Sequence, residues 1–137
     1  MLNDTNSQGH VRYSHYYHII WIPKYRRPVL DGVVGELCEI LIKDYANQRR
    51  LRVISLVVES DHVHLLIEIP PKHSVSSIVG ELKSKTAIVL KRAFPEKINK
   101  YLWRGDVLWA RGFYSCTVGG LNKGEVQDYI ALHEKHR

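Results

Sequence analysis

The chain has 137 residues and a mass of 15.9 kDa, the length of one domain and enough to bury a core without disulfide staples. Hydrophobic residues at 45% and charged residues at 25% exclude a largely disordered chain, and no apolar run reaches the roughly 18 to 20 residues of a membrane helix. Lys and Arg number 20 against 14 for Asp and Glu, and the resulting +6 charge and pI near 9.4 favour a polyanionic partner.

Residues 1–12 carry no periodic apolar pattern and read as a flexible arm, leaving 13–137 as a single domain. The opening MLNDTNSQGH is polar and lacks the basic-then-apolar layout of a signal peptide. From Tyr13 to Ile22 the run YSHYYHIIWI is β-branched and aromatic and predicts a strand. Pro23 and the basic cluster through Pro28 end it. Residues 29–50 show helical spacing, with Val33, Val34, Leu37, Ile40, Leu41 and Tyr45 recurring at three and four. Arg52–Val58 predicts a second strand, and Glu59, Ser60 and Asp61 turn into a third at His62–Ile69. Pro70 and Pro71 stop that strand. A long helix then runs from about Ser74 to Phe94, with Val75, Ile78, Val79, Leu82, Ile88, Val89 and Ala93 on one face. Pro95 to Asp106 reads as an irregular basic linker, Gly112–Val118 as a fourth strand, and Asn122 to about Lys135 as a last helix. Asn122 with Glu125 three residues on is a capping-box variant. The order β-α-β-β-α-β predicts an α+β fold, a ferredoxin-like split βαβ antiparallel sheet with two helices on one face. The other face is left open. Cys38 and Cys116 stand in no metal-type spacing and read as free thiols of a soluble cytoplasmic protein.

The third strand is the most informative piece. Alternation sends Val63, Leu65, Ile67 and Ile69 to the helix side and His62 and His64 to the open side. Two imidazoles so spaced can share one divalent cation, although two polar residues on a solvated face fit the same pattern. In the last helix Tyr129 and His133 lie one turn apart, with His136 three residues further on. Laid across the open face, that helix would let His133 complete a three-histidine site with Tyr129 beside it. A phenol next to a metal ion is an activated oxygen nucleophile, but Tyr129 packs equally well as a core residue with Val126, Ile130 and Leu132. Lys24, Arg26 and Arg27 after strand one, and Lys83, Lys85, Lys91 and Arg92 on the second helix, stand near tyrosines and tryptophans. Cations interleaved with aromatic rings suit single-stranded nucleic acid, and lysines on an amphipathic helix are also its ordinary solvated face. No Gly-rich phosphate loop, nucleophile elbow or CxxC pair is present.

Together these pieces resemble the single-tyrosine HUH transposases of the IS200/IS605 insertion-sequence family. Ser60 to Leu66 (SDHVHLL) resembles the family's His-hydrophobic-His signature, and Tyr17–Trp21 with Lys24–Arg27 its opening strand. Leu82–Lys85 through Phe94-Pro95 resembles its second helix. Leu108-Trp109, Gly112-Phe113 and Thr117-Val118 resemble the strand before the catalytic helix, and Val126–His133 that helix itself. The resemblance runs from about residue 13 to the C-terminus. It implies that Tyr129 is a nucleophile on single-stranded DNA, leaving a 5′-phosphotyrosine and a free 3′-hydroxyl. It further implies that His62 and His64 bind Mg²⁺ or Mn²⁺, that the DNA has hairpin ends, and that the protein is a homodimer sharing active sites between chains. The family usually carries Gln where this chain has His133, so a third nitrogen ligand would favour Mn²⁺, Co²⁺ or Zn²⁺ over Mg²⁺. A domesticated relative acting on dispersed hairpin repeats would share the same residues, and a non-catalytic single-stranded nucleic-acid-binding module is the reading from another class.

Overall fold

A computed structural model of the chain describes residues 6–8, 11–13 and 15–117. Two short strands, β1 (Asn6–Gln8) and β2 (Val11–Tyr13), pair antiparallel with Asn6 opposite Tyr13. The main sheet comprises β3 (Tyr16–Trp21), β4 (Arg52–Glu59), β5 (His62–Glu68) and β6 (Tyr114–Thr117), antiparallel throughout in the order β4-β5-β3-β6. Among the described residues three α-helices accompany it: α1 (Val33–Gln48), α2 (Val75–Ala93) and the short α3 (Pro95–Asn99). The α+β class and the split βαβ order are those the sequence predicts.

Register decides the faces. Across β4, β5 and β3, Val58 pairs with Val63 and Val63 with Trp21, and Leu56 pairs with Leu65 and Leu65 with Ile19. These side chains point to the helix side, where they join Val34, Cys38 and Ile42 of α1 and Ile78, Leu82 and Leu90 of α2 in one core. Val63, Leu65 and Ile67 are fully buried. The opposite face carries the alternate residues, among them His62, His64 and His18. No helix covers that face among the described residues.

Several boundaries differ from the sequence reading. The first main strand starts at Tyr16, because Tyr13 pairs with Asn6 in the separate ribbon. α1 starts at Val33, and Val29 and Leu30 are buried in a turn ahead of it, with the Leu30 N–H donating to the Ser60 carbonyl at 2.9 Å. On that helix Val33 and Ile40 face solvent and Cys38 takes the core position. On α2, Ile88 is exposed and Thr86 is buried instead, its hydroxyl donating to the Leu82 carbonyl and accepting from the Trp109 indole. The stretch after Pro95 is partly helical, with proline at the first turn and one buried anchor, Ile98, too few apolar positions to show a period. Among the described residues the fourth strand covers Tyr114–Thr117, starting two residues after Gly112. The last helix of the sequence reading lies outside the described residues.

Gly35 is where α1 meets the Val29–Leu30 segment. A Cβ there would sit 2.2 Å from the Leu30 carbonyl oxygen, so backbone has to move to admit one. Gly35→Ala is expected to destabilise the fold by about 1–3 kcal/mol, the usual scale of overpacking, read as a lower urea midpoint with an unchanged slope.

Candidate functional site

The site is built on β5 and the turn before it. His62 and His64 project from the face away from the helices, as the alternation requires, and His18 of β3 joins them. His18 sits diagonal to His64, because its direct partner across the pair is Leu66 and that of His64 is Ile20. His18 Nδ1 and His64 Nε2 share a hydrogen bond of 3.2 Å, with ring centroids 5.3 Å apart.

His62 is held from the other side. Its Nδ1 lies 2.9 Å from Oδ1 of Asp61, and the Arg26 Nε–H donates to Oδ2 of the same carboxylate at 2.8 Å. A carboxylate only accepts, so the Nδ1–H donates to it, and the neutral tautomer that fits this contact has its lone pair on Nε2. A carboxylate that orients an imidazole through its other ring nitrogen in this way prepares it for a metal ion. Burial pushes the Asp61 carboxyl up, but the His62 hydrogen bond and the Arg26 and His62 charges outweigh it and hold the group below its ordinary 3.8.

Arg26 reaches Asp61 from a distorted segment. Tyr25 and Arg26 have φ of 60° and 54°, the left-handed region that costs a non-glycine residue about 1–2 kcal/mol. The turn is fixed by the Arg26 N–H to the Pro23 carbonyl and by the Lys24 N–H to the Leu108 carbonyl, both 2.8 Å.

The sequence model of the family described as "Transposase IS200 like" matches residues 11–133. The chain belongs to the IS200-like transposase family. It is 36% identical over 129 residues to the transposase of insertion sequence IS200 from Salmonella typhimurium, covering 94% of this chain and 83% of that one. It is also 36% identical over 135 residues to the ISDra2 transposase TnpA of Deinococcus radiodurans, covering 98% and 94%. A crystal structure assigned as a transposase from D. radiodurans R1 superposes with a TM-score of 0.81 at 32% identity, over 93% of this chain and 96% of that one. A tyrosine transposase bound to a REP hairpin shares the fold, with a TM-score of 0.55 at 17% identity over 91% and 68%.

Of the residues singled out by sequence, the structure brings His62 and His64 onto one face and sets Arg26 beside them through Asp61. Tyr129 and His133 lie outside the described residues. Among the described residues no three His, Cys, Asp or Glu side chains form a metal-binding group. Lys24 pairs with Asp106 at 2.7 Å. Arg27 is half-buried beside Arg26. Lys83 is half-buried, and its ammonium donates to the carbonyls of Ala110 and Gly112 at 2.7 and 2.8 Å, anchoring the approach to β6. Lys85 and Arg92 are exposed on α2, and Lys85 borders an apolar groove against Leu41 and Tyr45 of α1. That groove belongs to the helix layer, across the sheet from the histidines. The six basic candidates therefore do not form one patch.

Two further residues belong to this group. Asp61 has only turn character in the sequence, and its position directly before His62 is the available signal. For His18 the sequence allows the same side as the histidine pair and leaves its role open, and its contact with His64 depends on a register that only strand pairing supplies. Cys38 is chemically silent, since burial pushes its thiol up to about 12.

Burial lowers the pKa of His18 below 6.5, and burial followed by the His18 and His62 charges lowers that of His64. The unfolded imidazoles therefore take up protons near pH 6.5 that the folded pair refuses, and the pair's contribution makes folding less favourable as pH falls through that value. Urea unfolding is expected to give a lower midpoint at pH 5.5 than at pH 7.5, with the gap narrowed in His18→Gln. A gap unchanged by that substitution would remove the pair from the acid response.

Proposed function

We propose that the chain is a metal-dependent single-stranded DNA transposase that cuts and rejoins hairpin-flanked ends through Tyr129. The observation that carries this reading is the pair of imidazoles on one sheet face, with Asp61 and Arg26 holding His62 in the ligating tautomer. Identity of 36% to two insertion-sequence transposases supports the same reading. The hairpin bound by the 17%-identical relative supports hairpin DNA as the partner.

In the proposed reaction the Tyr129 phenol loses its proton and its oxygen bonds to the scissile phosphorus. The bond from phosphorus to the 3′-oxygen breaks, and that oxygen leaves as a 3′-hydroxyl after taking up a proton. The DNA is then held as a 5′-phosphotyrosine, and attack by another 3′-hydroxyl rejoins an end and regenerates the phenol. No external energy source is required, because one phosphodiester replaces another. A Mg²⁺ or Mn²⁺ ion on His62, His64 and His133 would neutralise charge on the phosphate oxygens. Imidazole at 133 in place of Gln tilts the donor set towards Mn²⁺ and other transition metals. Lys24, Arg26 and Arg27 stand at the end of the sheet where His62 lies and are proposed to meet the DNA backbone. Lys85 and Arg92 are secondary contacts in this proposal, and Lys83, whose ammonium holds the Ala110 and Gly112 carbonyls, is set aside as structural. The protein is proposed to act in the cytoplasm as a homodimer, the tyrosine helix of one protomer serving the histidine pair of its partner.

The test is a denaturing gel with labelled hairpin oligonucleotides. A covalent adduct is expected with Mg²⁺ or Mn²⁺ and lost with chelator or in Tyr129→Phe, whereas an adduct surviving in Tyr129→Phe would move the nucleophile elsewhere. In the same assay, mixing His64→Ala with Tyr129→Phe protein should restore adduct if the sites are shared, and restore none if each chain works alone. Separately, Asp61→Ala should weaken calorimetric Mn²⁺ binding by about 10- to 100-fold, the usual range for losing the carboxylate that orients a ligating histidine. An unchanged affinity would deny Asp61 its orienting role.

A further inference from the structure

The connection from α3 to β6 presents Trp103 at 87% exposure, the highest of the exposed large hydrophobics among the described residues. The other tryptophans are buried, Trp21 at 0% and Trp109 at 6%. The exposed indole does not sit on a slack loop. Leu102 before it is buried at 2%, and the Asp106 N–H donates to the Trp103 carbonyl at 2.9 Å. The Asp106 carboxylate is held by Lys24 at 2.7 Å, and its carbonyl accepts from the Lys91 ammonium. Backbone pairing of Lys24 with Leu108 and of Ala110 with Ile22 closes the far side. The chain thus spends two cations and a buried leucine to keep one ring in water.

The surroundings are cationic. Positions 91–111 hold six Lys or Arg against two Asp or Glu, and Lys100 and Arg104 flank the indole in exposed positions. The loop also belongs to the end of the sheet where His62 lies. Lys24, which pins Asp106, is two residues from Arg26, whose partner Asp61 holds His62. Tyr101 at 37% and Val107 at 57% exposure are the other exposed large apolar side chains of this loop, and Lys100 and Arg104 break them up. The surface is interleaved rings and cations, which matches an unpaired nucleotide, and not the broad apolar patch a protein interface would want. Bases inside a duplex offer no free face for stacking.

We propose that Trp103, with Lys100 and Arg104, is a second contact for the single-stranded part of the DNA substrate, the indole stacking on an unpaired base while the cations meet the adjoining phosphates. The inference rests on the single-stranded DNA reading above and adds a binding site separate from the histidine pair.

The experiment titrates the full chain with a labelled oligothymidylate and with a blunt duplex of equal length, by anisotropy and by tryptophan emission. The single strand is expected to quench the red edge of the emission, which belongs to the exposed indole. Trp103→Ala should bind the single strand about tenfold more weakly, within the stacking range for one base, with duplex affinity unchanged. Trp103→Tyr should recover most of the loss. Equal single-strand affinity in wild type and Trp103→Ala would overturn this site and leave the functional reading standing. An equal loss on both DNAs would overturn it too, as would a loss of dimer mass in Trp103→Ala without a change in DNA affinity, which would make the ring an interface between copies. No single-strand binding by the wild type would overturn both readings.

Discussion

The candidate site depends on the alternation along β5. Val63, Leu65 and Ile67 are fully buried beneath the helices, each contributing roughly 1.5–3 kcal/mol of burial. A slip of one residue would expose all three and drive His62 and His64 into the core. The apolar row therefore aims the imidazoles, and the strength of the core sets how firmly they are aimed. β5 lies between β4 and β3, so both of its edges are paired and the register is locked from two sides. The diagonal contact of His18 with His64 follows from the same pairing.

A second constraint gathers in the short segment after β3. Lys24, Tyr25 and Arg26 occupy one tight turn, two of them with left-handed backbone, and each ties a different part of the molecule to the end of the sheet. Lys24 binds Asp106 and, through its own N–H, Leu108. Arg26 binds Asp61 and so reaches His62. Tyr25 packs against the core and under the Lys24 ammonium. Strain of this kind persists only where surrounding contacts over-determine it. Here the contacts are those that orient a histidine on one side and hold the Trp103 loop on the other.

The two faces of the sheet divide the labour. One face is occupied by α1 and α2, whose solvent side carries Lys85 and Arg92. The other carries the imidazoles, of which His18 and His64 are biased towards the neutral form by their surroundings. A neutral imidazole is the form that ligates a metal, and low proton affinity reduces competition for its lone pair. Lys83 shows how a basic residue on such a helix takes a structural task, since its ammonium satisfies two carbonyls ahead of β6. A positive charge in the sequence is not by itself a DNA contact.

The fold class and the facing of His62 and His64 were legible in the residues, because period-two and period-three-to-four patterns report burial directly. The family resemblance rested on motifs spread along the chain, and the match over residues 11–133 agrees with it. Side chains whose roles depend on distant partners were not legible. Asp61 acquires its meaning from Arg26, 35 residues earlier in the chain, and Trp103 from a loop pinned by Lys24 and Lys91. Thr86 is buried on α2 because the Trp109 indole meets its hydroxyl, while Ile88 on the same helix faces water. Local patterns encode which face a residue takes within its own element. Only tertiary pairing decides which charged or aromatic groups meet, because those distances are set by register and packing between segments far apart in the chain.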